Sequence, residues 1–166
     1  MAPAYNPAVW STFFSAEAGA SAALVGLLFV AVSINLAEII KMSQLVMRAA
    51  KALFTLMGVL LASTLCMVPG QAMVFLGCEL TVLGLLVWLS TTLSQHAASH
   101  NNLYVKKKER VLQVILTQLS AVPFIAGGVS LLLGFGGGLY WLVAATIFSF
   151  IAALIDAWVL LIEIQR

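Results

Sequence analysis

Apolar residues run along this chain in long unbroken stretches, with polar residues gathered into a few short clusters between them. A helix that crosses a hydrocarbon core of about 30 Å needs about 20 mostly apolar residues. Ala18 to Ala37 carries no charge and meets that length. Asn6 and Pro7 suit an N-cap and a first helical residue, so the helix begins well before Ala18, and Trp10, Phe13 and Phe14 would anchor it at the interface. From Ala52 to Val105 the only charge is Glu79, too long a stretch for one crossing, and Pro69-Gly70 is the natural break. Val111 to Ile155 is again uncharged and is cut by Gly134-Phe135-Gly136-Gly137-Gly138, with Tyr140 and Trp141 forming a second aromatic belt. The pattern predicts five helices over about 9–37, 49–68, 71–93, 111–133 and 139–162, a polytopic all-α bundle forming a single transmembrane domain over 1–166.

Composition agrees. Hydrophobic residues make up 63% and charged residues 8% of the 166 positions, against roughly 45–50% and 25% in soluble domains. Too few charges exist to cover a water-soluble fold, which excludes a soluble enzyme and a disordered chain. The eight basic residues test the number of crossings. Lys41, Arg48 and Lys51 fall between the first two helices, Lys106, Lys107, Lys108 and Arg110 between the third and fourth, and Arg166 ends the chain. Five crossings put all of them on one side, which the positive-inside rule makes cytoplasmic, with the N-terminus outside and the C-terminus inside. Met1 to Ser15 has no positive segment, so no cleaved signal peptide is expected.

Lys41, Gln44, Arg48 and Lys51 are spaced three, four and three apart, the stripe of a short amphipathic helix, and the connection 38–48 is expected to lie on the inner membrane surface. These lysines and arginines, with the Lys106–Arg110 run, are expected to contact anionic lipid headgroups rather than nucleic acid.

Glu79 is the most informative residue. It stands about 12 Å below the outer end of the third helix by helical rise, and an ionised carboxylate there costs several kcal/mol unless paired, hydrated or coordinated. One reading is a proton or cation site facing the interior; the other is a neutral acid hydrogen-bonded to a neighbour. Glu17 near the outer end of helix one is at a height from which it could share that site with Glu79 and Gln71. Asn35 could join the pathway from the inner end, though an interhelical hydrogen bond accounts for it equally. Asp156, near the cytoplasmic boundary of the last helix, is expected to be an ordinary hydrated charge.

His96 and His100 share a helical face and are weak metal candidates, since no further ligand follows them. Cys66 and Cys78 lie at different depths, so a disulfide is not expected. Small residues recur at Ala16, Gly19, Ala20, Ala23 and Gly26, at Gly77 and Gly84, and at Ala126, Gly127 and Ser130, spacing that lets helix backbones approach closely. Pro123 is expected to kink the fourth helix. No catalytic motif is present, and neither an enzymatic activity nor a cofactor is expected.

The stretch Trp10 through Leu36, with Ala-Leu-Val-Gly-Leu-Leu-Phe-Val-Ala-Val-Ser-Ile-Asn-Leu from Ala23, resembles the opening of a group of small bacterial multi-pass membrane proteins. The Val68-Pro69-Gly70-Gln71 turn followed by Gly77 and Glu79 is similar to the same group, some of whose members are labelled modulators of the FtsH membrane protease. The resemblance covers roughly the first half of the chain and implies a bacterial inner membrane and a regulatory role. It supplies no catalytic residues. Two functions follow: a homo-oligomer with an acidic site that binds or conducts protons or cations, and an accessory subunit of another membrane complex.

Overall fold

A computed structural model of the chain describes residues 3–100 and 107–164, and side chains within 3–94 and 111–160; no strand occurs among the described residues. Two short 3-10 turns, Pro3–Tyr5 and Pro7–Trp10, lead into α1 (Ser11–Ile34), and α2 (Leu36–Ile39), α3 (Ser43–Cys66), α4 (Met73–His100), α5 (Lys107–Leu133) and α6 (Tyr140–Ile164) follow. Five segments are long and apolar enough to cross a membrane: Pro7–Ile34, Ser43–Cys66, Met73–Ser94, Val111–Leu133 and Tyr140–Leu160. The chain is built as a multi-pass membrane protein.

The first connection departs from the sequence reading. Asn35 ends α1 earlier than residue 37: it leaves helical geometry at φ −104°, ψ 16°, and its side-chain amide donates to the Ala31 carbonyl at 2.9 Å. An asparagine that bonds its own backbone competes with helix propagation in this way. The segment 38–48 is then not one amphipathic helix. After the single turn of α2, Met42 is extended at φ −121°, ψ 102°, and residues 43–48 are already the opening turns of α3. Because α3 starts at Ser43 and not at 49, Lys51 lies eight residues inside a spanning helix, about 12 Å from its start.

Helices α3 to α6 close into a ring, α3 against α4, α4 against α5, α5 against α6, and α6 back against α3, while α1 lies on α3 from outside. The burial pattern of α1 reflects that position. Only Phe14, Ser21 and Leu28 are buried, at seven-residue intervals, which is a narrow seam. In contrast, α3 packs against α1, α4 and α6 and buries residues over about half of its circumference.

The α4–α5 contact is set by glycine. A Cβ on Gly128 would come within 2.6 Å of the Thr81 nitrogen and 2.8 Å of the Gly77 carbonyl, and one on Gly84 within 2.8 Å of the Ile125 nitrogen. The backbones therefore touch directly, as small residues permit in lipid. Gly128 holds this position, whereas Gly127, one residue away, turns towards Trp141 and Leu142 of α6. The small residues of α1 behave differently: Gly19 and Gly26 have nothing within 4 Å, and Ala16, Ala20 and Ala23 are exposed.

The N-terminal turns and the glycine run meet at one end of the bundle. Leu139 donates its amide to the Ala4 carbonyl at 2.9 Å, the Tyr5 hydroxyl accepts from the Gly137 amide at 3.2 Å, and Trp10 meets Tyr140 edge to face at 4.8 Å. Gly138 sits at φ +54° with the Ala4 carbonyl pressed against it, so both its backbone and its surroundings require glycine. The opposite end, where α1 stops and α3 begins, carries Lys41, Arg48 and Lys51 and is called the basic end below.

Candidate functional site

Polar side chains group at two places. Near the basic end, Lys51 of α3 faces Asp156 of α6 with Nζ 2.9 Å from Oδ2, and the two side chains are 8% and 4% exposed. Lys51 is therefore not a headgroup contact and Asp156 is not a hydrated surface charge. The earlier start of α3 gives the physical reason, since it carries Lys51 into the bundle and turns it towards α6. The observed helix bounds match the two in height, Lys51 standing eight residues after the start of α3 and Asp156 eight residues before the end of α6. The pair is neutral overall. Burying either charge alone costs several kcal/mol, and the partner's field offsets much of that.

Towards the other end, Gln71 in the α3–α4 turn reaches down over the first turns of α4, and its side-chain amide donates to Glu79 Oε2 at 2.5 Å. Glu79 lies six residues inside α4, about 9 Å from its start. It does not face the interior of the subunit. Glu79 and Cys78 are exposed on the outer surface of α4, alongside the exposed Val74, Phe75 and Val82. The side-chain carbonyl oxygen of Gln71, Oε1, is buried without a hydrogen-bond partner. One carboxylate and one amide thus form a fixed polar unit on the exterior, tethered from the turn.

The structure does not bring Glu17 into that unit. Its side chain is partly buried on α1, with Oε2 enclosed and lacking a hydrogen-bond partner, and no hydrogen bond joins it to Glu79 or Gln71. Asn35 is occupied in ending α1. Lys41 is exposed and paired with Glu38 at 2.7 Å, and Arg48 is half-buried. Lys107, Lys108 and Arg110 fall in the first turn of α5, and His96 and His100 in the last turns of α4, where side chains lie outside the described residues; Lys106 lies outside them altogether. Cys66 is buried, Cys78 is exposed, and both are free thiols. Among the described residues no cluster of three His, Cys, Asp or Glu could hold a metal ion.

The ring of α3 to α6 is filled by side chains. Phe124, Leu80, Val59 and Leu142 are almost wholly buried in one core, which Phe14 joins from α1. No protein-family model, curated protein or solved structure matches the chain.

Proposed function

We propose that this chain is a non-enzymatic accessory subunit of a bacterial inner-membrane complex, which acts by associating with a second transmembrane helix inside the bilayer. The observation that carries this reading is the position of α1. Of its span 11% is buried, against between 33% and 50% for the other four spans. Its small residues Ala16, Gly19, Ala20, Ala23 and Gly26 are exposed or open, and a small-residue face is the surface on which another helix packs closely in lipid. The resemblance of the first half of the chain to proteins labelled as protease modulators points the same way. In this reading the basic end is cytoplasmic and the N-terminus lies outside, as the positive-inside rule directs.

A photo-crosslinking residue at Ala23 tests the proposal in native membranes. An adduct to another membrane protein, of defined mass, is expected, and it should disappear when Gly26→Leu fills the face; an adduct to a second copy alone favours the homo-oligomer instead. Adducts to lipid alone overturn the reading.

One observation favours a second reading, a homo-oligomer that binds or passes protons or cations at the Glu79–Gln71 unit. Glu79 is exposed while held by a neutral donor, so a pathway using it would run between subunits and not through the filled ring. Ion flux into proteoliposomes that is unchanged by Glu79→Gln removes that reading.

A further inference from the structure

Helices α1 and α6 both rest on α3, and towards the basic end they line a cleft of about 290 Å³ between them. Its walls are Leu28 and Ala31 on one side and Ala157 and Leu160 on the other, with Leu56 of α3 as the floor. The alanines create the space, because larger side chains there would bring the two walls together. Asn35 lies at its basic end, where α2 turns beneath it and buries Ile39. The flanks of the cleft, Leu27 and Leu154, are exposed, so it opens sideways into the surrounding bilayer and not into water.

Dimensions and charge specify what fits. Along α1 the lining runs from Leu24 to Asn35, a rise of about 17 Å, close to the roughly 15 Å of one leaflet in a core of about 30 Å. The cleft thus reaches from the edge of the basic leaflet to about the membrane midplane. Its lining is almost wholly apolar except for Asn35, and Arg48 and the Lys41–Glu38 pair stand at the same end of the fold, which leaves those three side chains with one net positive charge. From this we infer that the cleft seats one acyl chain of an anionic phospholipid from the leaflet at the basic end, with the headgroup over Asn35, Lys41 and Arg48. The apolar walls supply dispersion contacts along the chain. Lipid tails solvate any such surface, so retention and headgroup preference come from shape and from the basic rim.

The test uses the full chain in phosphatidylcholine nanodiscs containing a minor fraction of phosphatidylglycerol, released for native mass spectrometry. One retained phosphatidylglycerol per chain is expected. Ala157→Phe, which fills the cleft, should lower that retention roughly tenfold, while Val82→Phe on the exposed face of α4 leaves it unchanged. Lys41→Gln with Arg48→Gln should keep a bound lipid but lose the preference for phosphatidylglycerol. Equal retention by wild type and Ala157→Phe overturns the inference, and so does loss of a dimer mass without loss of lipid, since a second copy would then occupy the cleft. Should Ala157→Phe fail to fold, spin-labelled phosphatidylglycerol on the wild-type protein decides. A motionally restricted component displaced by unlabelled phosphatidylglycerol but not by the same amount of phosphatidylcholine supports the site, and displacement by both alike overturns it.

Discussion

Lys51–Asp156 and Gln71–Glu79 are both polar pairs about two turns from a helix end, yet the fold treats them in opposite ways. The first is an ion pair between distant segments, buried between α3 and α6. The second joins residues eight apart, and its carboxylate stays on the surface of α4. The difference follows from what each acid can find. Asp156 meets a cation at its own height, so the two charges can leave water together. Glu79 meets only an amide on the outer surface of α4, within a spanning segment, so its charge has no counter-charge there. Of these two acids, the one that is buried has a cation as its partner and the one that is exposed has a neutral amide.

The strongest way to break the comparison is to remove the partner that permits burial. Asp156→Leu leaves Lys51 enclosed without a counter-charge and should destabilise the fold by about 3–5 kcal/mol, measured by unfolding in mixed micelles. Lys51→Met together with Asp156→Leu should recover most of that loss, because an apolar pair of similar volume needs no compensation. If the double variant is as unstable as the single one, the pair is held by something other than mutual neutralisation.

The next largest effect concerns the scaffold that carries Glu79. Gly128→Ala places a Cβ within 2.6 Å of the Thr81 backbone and forces α5 away from α4, a strain of about 1–3 kcal/mol. Gly26→Ala on the open face of α1 should be neutral or slightly stabilising, since alanine is the better helix former. Thermal unfolding of the two variants in the same detergent checks both signs.

Five crossings could be read from the sequence because the breaks are covalent facts: a Pro-Gly turn and a run of glycines interrupt stretches too long for one helix. The partners of individual side chains were less legible. A shift of one residue turns a helix by about 100°, which is why the close approach belongs to Gly128 when the spacing suggested Gly127. The same sensitivity hid the ion pair. Starting α3 at 49 leaves Lys51 at the membrane surface, and starting it at Ser43 sends it inside. Asn35, read as a pathway or interhelical residue, ends α1, and the extended Met42 precedes the start of α3. The small-residue stripes of α1 and α4 look alike in sequence, but only the latter meets a neighbour. Nothing local distinguishes them, because the distinction lies in which helices complete the ring.

A smaller change probes how the end that carries Gln71–Glu79 is fastened. Trp10 stacks edge to face on Tyr140 and donates its indole N–H to the Pro3 carbonyl at 2.9 Å, which holds the N-terminal turns against the glycine run. Trp10→Ala should cost about 1 kcal/mol. Its clearer signature is local: the Leu139 amide, bonded to Ala4, should exchange with solvent faster while amides at the Lys51–Asp156 level keep their protection. Equal acceleration at both ends would mean that the bundle unfolds as one unit and that the two polar pairs are energetically coupled.

The smallest effect on stability is expected at Glu79 itself, and that smallness is informative. An exposed acid with one neutral hydrogen bond contributes little to the folded state, so Glu79→Gln should change the unfolding free energy by no more than about 0.5 kcal/mol. Glutamine keeps the length and an oxygen to accept from Gln71, so the geometry survives and only the charge is lost. Measured beside Asp156→Asn, which also removes a charge while conserving shape, it isolates the role of the partner. A large loss at Asp156 and almost none at Glu79 sharpens the contrast between a charge that the fold depends on and one that it merely carries. A large loss at Glu79 would mean that its carboxylate is covered in the assembled protein, and the exterior of α4 would then belong to an interface.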